Sequence, residues 1–198
     1  MKLEGYHNTE SCNVDSIMKN GFTYKENPNH WLGQGIYFFA DLDTAMLNTN
    51  MLNNSKEIKT IAVEIEIDET QYLDLDRTDN LNNFIKYWNN KATEFEQKGV
   101  ELKIENTNQK KAYLMYQCLF LDLYKEERNY KVITKTFPKN NVPYAEKVKG
   151  FNYIGLQFLE TYICVSEDEY IVKKNVIEPT VKKEYIIEDN ITEQEWFI

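Results

Sequence analysis

The spacing of apolar residues changes several times along the chain, and each change marks an element. Residues 58–67 alternate strictly, with Ile61, Val63, Ile65 and Ile67 set against Ala62, Glu64, Glu66 and Asp68. That is the period of a strand with one buried face. Thr161-Tyr-Ile-Cys-Val165 is continuously apolar instead, as in a strand covered on both faces. Residues 3–8, the Ile36-Tyr-Phe-Phe39 run, Tyr72–Asp76 and 131–137 read as further strands, rich in aromatic and β-branched residues. Tyr170–Val172 and Glu184–Ile187 are two more short candidates.

Between these strands the period lengthens to that of a helix. Residues 10–19 carry Val14, Ile17 and Met18 on one side, with Thr9 as the expected N-cap and Gly21 just past the end. Residues 41–52 place Leu42, Ala45, Met46 and Leu52 together. Two longer helices follow. One carries Leu81, Phe84, Ile85, Trp88, Ala92 and Phe95; the other, over about 109–126, carries Ala112, Met115, Tyr116, Leu119, Phe120 and Leu123. Stripes of this kind are core-forming. Residues 23–30, with Asn27-Pro28-Asn29, and 138–152 read as loops. Helices interrupting a series of strands predict an α+β domain.

Composition narrows the picture. A chain of 198 residues that is 42% hydrophobic suits one domain spanning 1–198. The net charge of −9 argues against non-specific coating of nucleic acid, although a local basic groove remains compatible with it. Cys12, Cys118 and Cys164 are scattered, and His7 and His30 are the two histidines, so no metal site is expected. Unpaired thiols, an N-terminus with no apolar core and no run of membrane-spanning length predict a cytoplasmic protein.

Two runs carry the candidate chemistry: Gly5-Tyr-His-Asn-Thr9 and Trp31-Leu-Gly-Gln-Gly-Ile-Tyr-Phe-Phe39. Gly33 and Gly35 admit a backbone or a flat ligand at close range. Tyr37 beside them can present an aromatic face to a heteroaromatic ring. Each run alone has a plain reading, a core histidine and a core strand after a glycine turn. Their combination, in this order and at this separation, resembles the nicotinamide pocket of the His-Tyr-Glu class of ADP-ribosyltransferases, which includes diphtheria-toxin-like and poly(ADP-ribose)-polymerase-like enzymes. It also resembles a group of small standalone bacterial proteins.

The resemblance implies split, mixed or antiparallel β-sheets around an NAD cleft, with residues 78–128 as a helical insertion. It implies NAD as co-substrate and no metal. His7 and Thr9 match the family's ribose-binding motif, while Asn8 stands where glycine is usual and would clamp the nicotinamide amide through its backbone. Gly35 and Tyr37 match the stacking strand. The third element is a glutamate heading a late strand. Glu160, before Thr161–Val165, is placed ahead of Glu169, in Asp168-Glu-Tyr-Ile-Val172. Glu160, Tyr37 and His7 are thus the expected catalytic set, with Glu169 as the alternative carboxylate.

The implied reaction is mono-ADP-ribosylation of a macromolecule by a toxin or phage-defence effector, with an antitoxin as a compatible partner. NAD glycohydrolysis and a non-catalytic NAD- or ADP-ribose-binding module are the alternatives. Arg128 to Tyr153 interleaves cations with aromatics, the makings of a single-stranded nucleic-acid groove. Lys131, Lys135, Lys139, Tyr144, Lys147 and Lys149 are the expected target contacts. An RNA or DNA acceptor is ranked just ahead of a protein.

Overall fold

A computed structural model of the chain describes residues 1–52, 57–101, 109–138 and 159–177. Its strands are β1 (Lys2–Glu10), β2 (Ile36–Phe39), β3 (Ile58–Glu66), β4 (Tyr72–Asp74), β5 (Val132–Pro138), β6 (Leu159–Val165) and β7 (Ile171–Ile177). The helices are α1 (Val14–Asn20), α2 (Leu42–Leu52), α3 (Thr78–Gln97) and α4 (Gln109–Arg128). The fold is α+β. One sheet runs in the order β4-β5-β6-β2-β1-β3-β7, parallel between β4 and β5 and antiparallel elsewhere.

Most expected elements form within a residue or two of their predicted ends. The start of α1 does not. β1 stays in register with β3 as far as Glu10 opposite Ile58, so Thr9, the expected N-cap, is a strand residue. A 3-10 turn over Ser11–Asn13 then leads into the helix. β6 begins earlier than its apolar run because Leu159 and Glu160 pair with Pro138 and Phe137 of β5. β7 extends over seven residues as an edge strand, with Val172 and Lys173 exposed and Lys174 paired with Asp168 at 3.0 Å. The short strand anticipated at Glu184–Ile187 lies outside the described residues.

Apolar side chains fill both faces of the sheet. Phe22, Phe38, Ile61, Val63, Ile163 and Ile171 form one cluster. On the other face, Leu73, Ile133 and Cys164 pack with Phe84 of α3 and with Phe120, Leu121 and Tyr124 of α4. The two long helices are therefore the cover of one sheet face and not an appendage. The Trp88 and Phe120 rings stack between them with centroids 4.6 Å apart, and Lys91 pairs with Glu127 at 2.6 Å.

The join between β1 and β2 is the feature that matters for function. It consists of one registered pair, Tyr6 opposite Phe39. Beyond it, His7 to Glu10 continue along β3 while β2 diverges. The sheet is thus two halves, β4-β5-β6-β2 and β1-β3-β7, opening into a seam.

Candidate functional site at the sheet seam

A cavity of about 600 Å³ lies where the halves diverge. His7, Gly35, Ile36 and Tyr37 line its floor; Thr23 to Pro28 and His30 form the rest of its wall. The two sequence runs thus meet at one site. The link is direct, because His7 Nδ1 lies 2.9 Å from the Tyr37 carbonyl oxygen. A carbonyl only accepts, so Nδ1 carries the proton. Burial holds the imidazole below its ordinary pKa of 6.5, against the opposing pull of that carbonyl. Neutral His7 then has Nε2 as a lone-pair acceptor, the partner a hydroxyl donor requires. Phe22 and Phe38 fix the ring by edge contacts at 5.1 and 5.8 Å.

Tyr37 is positioned by its own turn. Its hydroxyl accepts from the Leu32 N–H at 2.7 Å and donates to the Gly33 carbonyl at 2.8 Å. Burial drives its pKa far up, so it stays protonated. His30 packs against the ring with centroids 5.0 Å apart. Gly35 is required by space: a Cβ there would sit 2.7 Å from both Cys164 Sγ and the Val165 carbonyl oxygen. Gly33 is required by its backbone, at φ +80°.

Asn8 does not crowd the cavity from its side chain. Its amide nitrogen donates to the Ala45 carbonyl of α2 at 2.7 Å, and its amide oxygen accepts from Thr60 Oγ1 at 2.8 Å. Alternation along β1 puts His7 on the other face. Thr9 Oγ1 accepts from Asn13 Nδ2 at 3.4 Å, in a local bond at the strand end.

Neither candidate glutamate lines the cavity. Glu160 is buried, and its two oxygens accept from Asn48 Nδ2 at 2.9 Å and the Tyr162 hydroxyl at 2.8 Å. Tyr37 is registered with Cys164, and Glu160 lies four residues further back on β6, about 13 Å at the usual rise of a strand. Glu160 thus stands at the far end of β6 from the level of Tyr37. Glu169 is exposed in the 3-10 turn Asp168–Tyr170 that heads β7. That turn adjoins the site: Asp168 accepts from the Phe22 N–H at 2.7 Å, and Phe22 packs on His7.

Of the expected target contacts, Lys131 pairs with Glu167 at 3.1 Å, and Lys135 pairs with Asp76. Lys139, Tyr144, Lys147 and Lys149 lie outside the described residues. Among the described residues no cluster of metal-ligating side chains occurs, and no helix is long and apolar enough to cross a membrane. The thiols of Cys118 and Cys164 are pushed up by burial to about 12 and about 11, so neither is a nucleophile at neutral pH.

Sequence reasoning passed over His30 and the residues that hold the Gly33-Gln34-Gly35 turn. His30 Nδ1 is buried without a hydrogen-bond partner. Asp122 Oδ1 accepts from the Gln34 N–H at 2.7 Å and pairs with Lys125 at 2.8 Å, while buried Lys125 donates to the Gln34 carbonyl at 2.5 Å. One signal was available. Cys118, Asp122 and Lys125 recur at i, i+4 and i+7, so two charges share a helix face with a buried cysteine. No protein-family model, curated protein or solved structure matches the chain in comparison.

Proposed function

We propose that the seam cavity binds NAD and that the protein is an NAD-dependent mono-ADP-ribosyltransferase. The observation that carries this reading is the meeting of His7 and Tyr37 at the divergence of β1 and β2, with Gly35 beside them. Cleavage of the nicotinamide–ribose bond builds positive charge on the anomeric carbon and ring oxygen, as in glycoside hydrolysis. In this reading Tyr37 supports the nicotinamide ring and the Nε2 of neutral His7 accepts from a ribose hydroxyl. The Asn8 backbone, on the β1 edge that β2 leaves, takes the carboxamide.

A carboxylate must then stand near the ribose. We assign it to Glu169, which heads β7 beside the Asp168–Phe22–His7 contact. Glu160 serves instead as a buried acceptor for Asn48 and Tyr162. The acceptor substrate is a macromolecule. Pairing of Lys131 and Lys135 with carboxylates favours a second reading, in which water accepts the ADP-ribose.

The test is nicotinamide release from labelled NAD, with and without cellular RNA and protein. Wild type and Glu160→Gln are expected to turn over, and Glu169→Gln to lose activity by about two to three orders of magnitude, the scale for removing a preorganised charge. Label on RNA or protein supports transfer, and release with no labelled acceptor supports the hydrolase. No NAD binding or turnover in wild type defeats the proposal.

A further inference from the structure

Much of the cavity wall is a strap, Thr23 to Pro28, exposed along its length. It is pinned at both ends, with Cys118 Sγ of α4 adding a weak contact at 3.8 Å to the Asn27 carbonyl oxygen. Upstream, the Phe22 N–H donates to Asp168 at 2.7 Å. Downstream, Gln34 exchanges two bonds with the backbone of Asn27: Asn27 N–H donates to Gln34 Oε1 at 3.1 Å, and Gln34 Nε2 donates to the Asn27 carbonyl at 2.9 Å. A side-chain amide here imitates a rung of an antiparallel ladder. Between the pins, Thr23 to Glu26 make no hydrogen bond among the described residues.

Gln34 is itself immobilised. Asp122 holds its N–H and Lys125 its carbonyl, so the side chain starts from a backbone clamped to α4. Beyond Asn27 the chain turns through Pro28, with the His30 N–H returning to the Asn27 carbonyl at 3.2 Å and the Asn29 N–H to Asn27 Oδ1 at 3.0 Å. This turn sets His30 against Tyr37.

We propose that Gln34 is a positioning residue: its amide latches the Thr23–Pro28 strap to α4 and so fixes the width of the cavity and the seat of His30 beside Tyr37. The latch is a property of the unliganded chain. Its kinetic consequence rests on the NAD reading above, whereas its effect on the strap does not.

The experiment compares full-length wild type with Gln34→Met, near-isosteric but without the amide, and Gln34→Glu, which keeps the acceptor for the Asn27 N–H. Amide hydrogen exchange read by NMR without NAD is the first arm. In Gln34→Met the Asn27 and His30 amides are expected to exchange about tenfold faster, the scale of one lost hydrogen bond, with β1 and β3 unchanged. In Gln34→Glu the Asn27 amide is expected to keep most of its protection. Equal protection of Asn27 in all three proteins overturns the latch. Should Gln34→Met not fold, Gln34→Asn, one methylene too short to reach Asn27, takes its place.

The second arm is NAD turnover, where Gln34→Met is expected to raise KM about tenfold and leave kcat near wild type. A fall in kcat at unchanged KM overturns the positioning role. If wild type has no turnover, the proposed function fails, and the exchange arm alone decides the latch.

Discussion

Tyr37 has two jobs that pull against each other. Its ring borders the cavity, but its hydroxyl closes the turn that delivers it there, satisfying Leu32 N–H and Gly33 C=O. Tyr37→Ala therefore tests folding and ligand contact at once. Tyr37→Phe separates them, because the ring stays and only the two turn bonds are lost. It is expected to destabilise the protein by about 1–3 kcal/mol, read as a lower urea midpoint at unchanged slope, because two backbone groups lose their partner. NAD turnover by the folded fraction should persist. Asn8 shows the reverse situation. Where an unhindered glycine is usual in the resembled family, its side chain is spent on α2 and Thr60, so only its backbone is left for a ligand.

Among elements, α4 ties the core to the site. It covers one sheet face through Phe120, Leu121 and Tyr124, and its Asp122–Lys125 pair grips the Gln34 backbone. Lys125 is 8% exposed, whereas the Asp122 side chain is 30% exposed. Lys125→Met leaves that carboxylate partly solvated, so the cost falls below that of breaking a fully buried pair. A loss of about 2 kcal/mol is expected from chemical denaturation.

The elements themselves were largely legible, because their signal is local. The alternation in β3 and the aromatic stripes of α3 and α4 map directly onto buried faces. The start of α1 departs from its local signal because long-range pairing with β3 outweighs a local cap. The site was legible in part. His7 and Tyr37 lie in distinctive runs, whereas Asp122, Lys125 and Gln34 act through main-chain contacts 88 to 91 residues apart in sequence. Glu160 and Glu169 each stand at the head of a late strand, and strand propensity does not distinguish them.

For the whole molecule, both histidines sit at the cavity, and burial lowers the pKa of each from 6.5. The unfolded chain therefore takes up protons at a higher pH than the folded one. The stability gained from neutral imidazoles is complete above 6.5 and is lost as pH falls below it. The carboxylates Glu64, Glu94 and Glu127, lowered from 4.5 by lysine partners, add acid sensitivity only further down. Melting temperature is expected to drop between about pH 7 and pH 5.5, and the His7→Gln/His30→Gln double variant to flatten that drop. An unchanged slope would place the acid response elsewhere.

The seam also has a mechanical consequence. One registered pair makes it the weakest line across the sheet, yet the backbone crosses it between β1 and β2, β2 and β3, β3 and β4, and β6 and β7. These crossings act as covalent stitches. Across the seam the halves are joined by one ladder rung, the His7–Tyr37 bond and the shared apolar cluster, so they can shift in spacing only as far as those side chains repack. A molecule lodged between them would supply cross-links that the strands themselves do not make.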